Sequence, residues 1–293
     1  MTDAKKILFL GLGPITLKII EKILSSSTQT EILVCSKQDE LLLEFANSEQ
    51  IRFVEREDLQ NLSSLDYIIN SWRYVDSIDL NDKMCVLERL SNSRSSNVTF
   101  INFSSVAVYG DTDAPAYESS RTVPINSYGI NKLKIELLLQ NGTFHSVINL
   151  RLSNVFGDHR FRDFINEAIS ALFYKKDLIA VEPEEIKRDF IPIELVVDFI
   201  VDVIFSPALK IDPFLNINIS SGVSFTLKEL MDIISDCLSE DIEFRIAPRK
   251  KEEIKTSLVA NNLMRELFSL DDYSVEKCIE RYSKAYFDYL RSC

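Results

Sequence analysis

The chain has 293 residues, of which 46% are hydrophobic and 27% are charged, a composition typical of a soluble globular protein with one large or two joined domains. Its net charge of -12 argues against a nucleic acid or an anionic membrane as partner, because both require a basic surface. No apolar run approaches the ~20 residues of a membrane span. Five scattered cysteines without C-x-x-C spacing predict reduced thiols and a cytoplasmic location, and two isolated histidines make a metal site unexpected.

The N-terminus predicts a strand, a glycine turn and a helix. Ile7–Leu10 is a short apolar run typical of a buried parallel strand, and Leu17–Leu24 carries apolar residues at helical spacing. The turn between them, residues 11–16, reads G-L-G-P-I-T. Its glycines allow close backbone approach to a pyrophosphate at the helix N-terminus, whereas Thr16 replaces the third glycine of the usual pattern. The cofactor-binding residues predicted here are Gly11, Gly13, Pro14 and Ile15.

Strands alternate with helical patterns up to Gly157. Apolar runs predict strands at residues 31–35, 51–54, 67–70, 98–103 and 147–150. This alternation predicts an α/β fold with a doubly wound, Rossmann-type parallel sheet. Later patterns predict helices at 163–173 and 190–205 and short strands at 214–219 and 241–246. We therefore predict a cofactor-binding domain at residues 1–157, joined again by 190–206, and a smaller, interleaved C-terminal substrate-binding domain at 158–189 and 207–293.

The end of the second predicted strand bears on the choice of cofactor. NAD sites usually carry an acidic residue there, which bonds the ribose 2′-hydroxyl. Here Ser36 and Lys37 follow the strand, and no carboxylate occurs before Asp39. A hydroxyl and an ammonium suit a 2′-phosphate better, which favours NADP(H) over NAD(H), although single lysines of this kind are usually solvated. After the third strand, Asp58 and Leu59 could approach the adenine or simply cap the next helix.

A serine-rich strand end and a Tyr–Lys pair predict proton-transfer chemistry. Residues 104–110 read S-S-V-A-V-Y-G, and Tyr128 lies four residues before Lys132. That spacing places a phenol and an ammonium on one helix face, where the cation lowers the phenol pKa from its usual value of about 10. Ser105 could hydrogen-bond the same substrate oxygen. Together they suit a carbinol or carbonyl oxygen that gains or loses a proton during nicotinamide hydride transfer.

These segments resemble the extended short-chain dehydrogenase/reductases, in particular the nucleotide-sugar epimerase/dehydratase branch. The resemblance runs nearly end to end and includes L-R-L-S-N-V-F-G at 150–157, R-D-F-I-P-I at 188–193 and N-I-N-I-S-S-G at 216–222. Six segments in the same order are far more specific than any one of them. The resemblance implies a nucleotide-sugar substrate and a cofactor of the nicotinamide type.

The resemblance also implies a role for particular residues. Tyr128 would be the acid/base, Lys132 would bind the nicotinamide ribose and lower the Tyr128 pKa, and Ser105 would orient the reacting oxygen. The residues implied to contact the nucleotide diphosphate of the substrate are Asn154, Arg188 and Arg249. An arginine fork grips phosphate oxygens in a bidentate manner, although a single arginine is more often a surface ion-pair partner.

The chain departs from the family pattern at three places. The outer two glycines of the usual G-x-x-G-x-x-G turn are missing. Where many relatives have His-x-Ala-Ala after the fourth strand, residues 70–73 read N-S-W-R. We predict that Asn70 and Trp72 lie at the cofactor. Trp72 either lines the nicotinamide pocket or is a packing residue. The Arg-x-Gly-Asp-like segment of relatives becomes R-K-K-E-E at 249–253, which puts its nucleotide contact in doubt.

The residues after Ser105 reduce the number of possible reactions. Sugar 4,6-dehydratases resembling this chain need an Asp-Glu pair where Val106 and Ala107 stand, so dehydration is not expected. The 3,5-epimerase-reductases use a cysteine at the position of Val106. The prediction is an NADPH-dependent 4-ketoreductase of a nucleotide-linked 4-keto-6-deoxyhexose, for deoxysugar and surface polysaccharide biosynthesis. The alternatives are an NAD-dependent nucleotide-sugar 4-epimerase and a non-catalytic, NADP-sensing protein on the same fold.

A homodimer is also predicted. Helical patterns at residues 82–90 and 132–139 present apolar side chains that the sheet need not cover completely, namely Met84, Leu87, Leu133 and Leu137. Family members resembling this chain pair through the two corresponding helices, and two-fold dimers are the commonest oligomers. Such stripes are otherwise usually buried within the monomer.

Overall fold

The computed structural model describes residues 5–26, 29–36, 48–74, 76–92, 97–206, 213–268 and 273–292. In chain order, the strands are β1 (Lys5–Leu10), β2 (Thr30–Cys35), β3 (Ile51–Phe53), β4 (Tyr67–Asn70), β5 (Thr99–Ser105), β6 (Ser146–Leu152), β7 (Asn154–Phe156), β8 (Leu178–Val181), β9 (Lys187–Pro192), β10 (Phe214–Ile219), β11 (Ser224–Thr226) and β12 (Phe244–Ala247). The helices are α1 (Pro14–Ser25), α2 (Ser77–Asn92), α3 (Ser127–Gln140), α4 (Phe164–Phe173), α5 (Ile193–Phe205), α6 (Leu227–Leu238), α7 (Asn262–Leu267) and α8 (Val275–Ser292).

Contacts between Cα atoms divide the chain into two compact units. The first comprises residues 1–105, 130–151 and 197–217, and the second comprises 106–129, 152–196 and 218–293. The domain bounds predicted from the sequence differ from this division, because 106–129, 152–157 and 190–196 belong to the second unit and 207–217 to the first. Most of residues 106–129 have irregular backbone, so hydrophobic periodicity carries no signal about where that stretch packs.

The first unit is built on a seven-stranded sheet of described residues, in the order β10-β6-β5-β4-β1-β2-β3. The pairs of β1 with β2, β1 with β4, β2 with β3, and β4 with β5 are parallel, which confirms the predicted doubly wound, Rossmann-type sheet. The strand order reverses beside β1, because β2 and β3 lie on one side of it and β4 on the other. Ligands of such sheets bind at the carboxyl ends of the strands at this switch point.

Sequence and structure agree closely at β1 and α1. Ile7–Leu10 is fully buried, as its continuous apolar run predicts for a strand covered on both faces. Helix α1 begins at Pro14, whose fixed φ suits a first helical position, and it buries Leu17, Ile20 and Ile23. Each such side chain contributes about 1.5–3 kcal/mol when removed from water.

The second unit contains two small sheets, in the orders β11-β9-β7 and β12-β8. Helices α4, α6 and α8 contribute to its hydrophobic core, and α6 begins with a capping box between Thr226 and Glu229. The helix predicted at 190–205 is correct only from Ile193, because Phe190–Pro192 ends β9 and the helix begins directly after the proline. None of the helices in the described part of the chain is long and apolar enough to cross a membrane.

Candidate active site

The two glycines of the turn after β1 have different surroundings. Gly11 has a φ of +96°, and a Cβ there would lie 3.0 Å from both Ser71 Oγ and Trp72 Cδ1. Gly13 is the N-cap of α1, and a Cβ built on it would meet nothing within 4 Å. No side chain caps α1 and its first turn contains no acidic residue, so its N–H groups suit an anion. Contacts of Pro14 and Ile15 with a pyrophosphate remain a prediction from the sequence.

Thr16 compensates for the missing third glycine with a hydrogen bond. Its side chain is 1% exposed, and Oγ1 donates to Ser71 Oγ at 3.0 Å. Ser71 Oγ in turn donates to the Leu10 carbonyl at 3.2 Å. The two hydroxyls therefore link α1 to the ends of β1 and β4.

The residues predicted to contact the adenosine follow β2 and β3, and they differ in their exposure to solvent. Ser36 is half-buried directly after β2, whereas Lys37 lies outside the described residues. Asp58 is exposed in a 3-10 turn at 56–61, and its backbone N–H donates to Glu55 O within that turn. Leu59 is 1% exposed and packs in the core of the first unit, so its side chain faces away from solvent.

Asn70 belongs to a ladder of asparagines that crosses four strands, in which the first three members are buried and Asn216 is half-buried. Asn70 Nδ2 donates to Asn102 Oδ1 at 2.9 Å, Asn102 Nδ2 to Asn149 Oδ1 at 2.8 Å, and Asn149 Nδ2 to Asn216 Oδ1 at 2.9 Å. Asn70 Nδ2 also donates to the Tyr74 hydroxyl at 3.0 Å. Because its side chain is 1% exposed with both amide hydrogens used, Asn70 acts within the protein instead of presenting its side chain to a cofactor.

Lys132 is a buried cation that donates a hydrogen bond to a backbone carbonyl. It is 7% exposed, its Nζ donates to the Phe103 carbonyl at 2.6 Å, and the Tyr74 ring centroid lies 5.3 Å away. Burial lowers the pKa of Lys132 to about 8, and the charges of Arg73 and Lys83 act in the same direction. Glu136 opposes them. An ammonium whose pKa lies this close to neutrality suits a role in proton transfer.

The other two predicted catalytic residues occupy different surroundings. Ser105 is the last residue of β5 and is 8% exposed. Tyr128 lies in the first turn of α3, four residues before Lys132, and is 54% exposed. Gly129 follows Tyr128 on the helix. Only glycine fits at this position, because a Cβ there would lie 2.5 Å from the Ala107 carbonyl oxygen. The phenol is therefore accessible while the backbone beneath it is closely packed.

A buried ion pair lies one helical turn beyond Lys132. Arg151 NH2 and Nε donate to the two carboxylate oxygens of Glu136 at 2.8 and 3.1 Å, and both side chains are under 5% exposed. Ser104 Oγ donates to the same carboxylate. The sequence analysis did not identify this pair, because no local spacing links Glu136 on α3 to Arg151 on β6.

In the second unit, the predicted diphosphate-binding residues are anchored to the protein. Asn154 Nδ2 donates to Asp189 O at 2.8 Å. Arg188 NH1 donates to the carbonyls of Lys187 and Lys255 at 2.9 Å, and burial lowers the pKa of its guanidinium. Arg249 NH1 donates to the Glu253 carbonyl at 2.8 Å, and Arg249 Nε lies 3.5 Å from Glu182.

Asp189 is a further polar residue that the sequence analysis missed. It is fully buried and accepts hydrogen bonds from Ser221 N, Ser221 Oγ and Gly222 N at 2.8–2.9 Å. Burial raises the pKa of Asp189 to about 6. The carboxylate therefore holds the turn after β10 in place.

The sheet, its switch point and the glycine turn define a Rossmann-type enzyme fold that fits a dinucleotide. The model of the NAD dependent epimerase/dehydratase family matches residues 71–217, half of the chain. The chain belongs to this family, so the protein is a nicotinamide-dependent enzyme of the extended short-chain dehydrogenase/reductase type. No curated protein sequence matches the chain.

Solved structures with the same fold cover nearly the whole chain. UDP-glucuronic acid 4-epimerase from Bacillus cereus has a TM-score of 0.82 at 17% identity, covering 96% of this chain and 99% of that one. UDP-N-acetylglucosamine 4-epimerase from Methanobrevibacter ruminantium has a TM-score of 0.79 at 22% identity, covering 99% and 100%. dTDP-glucose 4,6-dehydratase from Streptomyces venezuelae has a TM-score of 0.83 at 18% identity, covering 97% of each. At these identities the similarity establishes the fold.

Proposed function

We propose that the protein is an NADPH-dependent 4-ketoreductase of a nucleotide-linked 4-keto-6-deoxyhexose, acting in the cytoplasm in deoxysugar biosynthesis. The observation that carries the proposal is the buried Lys132 ammonium, with its lowered pKa, on the helix that bears the accessible Tyr128 phenol. Val106 and Ala107 are both apolar and under 10% exposed. They leave no carboxylate at the positions where a dehydratase needs its acid and base.

The chain's own residues would handle the proton. When bound, the nicotinamide cofactor supplies a hydride to the keto carbon. Tyr128 donates a proton to the developing alkoxide, and Ser105 hydrogen-bonds that oxygen. Lys132 favours the phenolate form of Tyr128 and so keeps the phenol ready to exchange its proton near neutral pH. Asn154, Arg188 and Arg249 would orient the nucleotide diphosphate, with Glu182 competing for Arg249.

The cofactor consumed distinguishes the reductase from its closest alternative. A purified reductase given NADPH and a 4-keto nucleotide sugar should oxidise one NADPH for each product molecule formed. An NAD-dependent 4-epimerase returns its hydride and shows no net change in nicotinamide absorbance. The matched control is a UDP-hexose without added NADPH. Equilibration of that sugar with its C4 epimer would replace the reductase proposal by the epimerase, and binding of NADP(H) without turnover of any sugar would favour the sensing protein.

The pH dependence of turnover tests Lys132. Below its pKa of about 8 the ammonium is present, and above it the charge that favours the Tyr128 phenolate is lost. We therefore expect kcat/KM to fall as the pH rises through about 8. The Lys132→Arg variant keeps its positive charge over this range, so the fall in its kcat/KM should occur at higher pH. The same descending limb in both proteins would show that another group controls it.

We propose a homodimer formed through α2 and α3 of the first unit. The two helices line a groove of about 440 Å³ that includes Met84, Leu137 and Leu138. Leu137 is 50% exposed, whereas Leu87 is fully buried in the core and is unavailable for pairing. Light scattering at micromolar concentration should give the dimer mass, and Leu137→Asp should shift it toward the monomer. Ile246→Asp, at a residue that is 70% exposed in the second unit, is the matched control. A wild-type monomer would refute the dimer.

A further inference from the structure

Arg56 and Trp72 meet across the cofactor end of the first unit's sheet. Arg56 follows β3 and Trp72 follows β4, yet the guanidinium carbon lies 5.4 Å from the indole ring centroid. In the order β4-β1-β2-β3, two strands separate these chain positions, and neighbouring strands lie about 4.8 Å apart. The two side chains therefore extend over the carboxyl ends of β1 and β2. The adenosine half of a dinucleotide lies across these ends in a doubly wound fold.

Trp72 provides a rigid support for the guanidinium. Its side chain is 6% exposed, and it lies against the turn at Gly11, where a Cβ would come within 3.0 Å of its Cδ1. Its backbone N–H donates to Asn70 Oδ1 at 3.3 Å. An arginine can stack its planar face on an indole while its N–H edge remains available for an anion.

Of the two cations that the described residues place beside Trp72, Arg56 is the one that can bind a ligand. The other is Lys83, whose Nζ lies 5.9 Å from the ring but is paired with Asp79 at 2.7 Å and donates to the Arg73 carbonyl. Within the described ranges Arg56 forms no ion pair. Arg56 and Lys83 thus place two cations beside Trp72 in a chain whose net charge is -12.

The charge of Arg56 also acts at the end of β2, where the ribose 2′ position is recognised. Burial raises the pKa of the Cys35 thiol to about 11, and the nearby Arg56 charge works against that rise. Glu55 and Glu57 act in the opposite direction from Arg56. Both are exposed, so water and salt screen their repulsion of a bound anion.

We propose that Arg56, supported by Trp72, binds the 2′-phosphate of NADP(H) and sets the preference for it over NAD(H). This inference rests on the cofactor assigned in the proposed function, and it names a residue that follows the third strand instead of the second. A guanidinium bonds phosphate oxygens through two parallel N–H groups, and that contact is absent when the ribose carries a hydroxyl.

Binding of NADP⁺ and NAD⁺ tests this role, because the two differ only by the 2′-phosphate. Isothermal titration of the wild type should give tighter binding of NADP⁺. Arg56→Gln should weaken NADP⁺ binding about 10- to 100-fold, the loss expected for a charged hydrogen-bonded contact, and change NAD⁺ binding less than about two-fold. Arg56→Lys, which keeps the charge but loses the fork, should fall between them. The fluorescence of Trp72, the chain's single tryptophan, provides a second binding signal.

Arg52→Gln is the matched control, because it removes the same charge from an exposed side chain that lies 3.5 Å from Glu31. It should bind both cofactors as the wild type does, and circular dichroism should show each variant folded. Unchanged NADP⁺ binding by Arg56→Gln, or equal weakening of both cofactors, would overturn the role of Arg56. If the wild type still binds NADP⁺ more tightly than NAD⁺ in that case, the proposed use of NADP(H) is retained and only the role of Arg56 is wrong. A wild type that binds NAD⁺ more tightly would overturn both.

Discussion

Tyr128→Phe should lower kcat by about 10²–10⁴-fold, the range that general acid–base groups contribute. The substitution removes only the phenolic hydroxyl, and the Tyr128 side chain is 54% exposed, so little packing is lost. Stability and cofactor affinity should therefore stay close to the wild-type values. Steady-state kinetics with NADPH and a 4-keto nucleotide sugar, together with a cofactor titration, measure both effects.

Tyr174→Phe is the matched control for this substitution. Tyr174 is 55% exposed and caps the C-terminus of α4 in the second unit, so it loses the same hydroxyl from a comparably accessible site. Its kcat should match that of the wild type. Wild-type turnover by Tyr128→Phe would rule out Tyr128 as the proton donor, and a loss of cofactor binding along with turnover would point to a structural role.

Arg151→Met should lower the free energy of unfolding by about 3–5 kcal/mol, a large share of the ~5–15 kcal/mol typical of a domain. The variant leaves the Glu136 carboxylate buried, where its side chain is 3% exposed, without its bidentate partner. Urea unfolding followed by circular dichroism measures the loss. Because Glu136 lies on α3 with Lys132, we also expect lower activity in the folded fraction.

Two comparisons separate burial from simple loss of charge. Arg52→Met breaks a pair with Glu31 whose side chains are 60% and 46% exposed, and it should cost less than about 1 kcal/mol. The double variant Arg151→Met with Glu136→Leu removes both buried charges and should recover much of the lost stability. Equal costs for Arg151→Met and Arg52→Met would show that the buried pair contributes no more than a surface pair.

The sequence predicted the elements whose signal is local. The apolar run of β1, the glycine turn and the helical spacing after it located this region, although β1 begins at Lys5 and α1 already at Pro14. The helix that carries Tyr128 and Lys132 was equally readable from the four-residue spacing. Predictions failed where the period was ambiguous, as at Phe190–Pro192, a short apolar run that suits a strand or a helix until tertiary pairing decides.

The sequence by itself determined the fold class, the family and the chemical identity of the candidate proton donor, because these depend on residue type and short-range spacing. Only the tertiary structure revealed the asparagine ladder, the pair of Glu136 with Arg151, and the contact of Arg56 with Trp72. Their members lie on different strands and helices. Such contacts depend on strand order and burial, and no local sequence pattern encodes either. The lowered pKa of Lys132 also arises mainly from burial, which only folding produces.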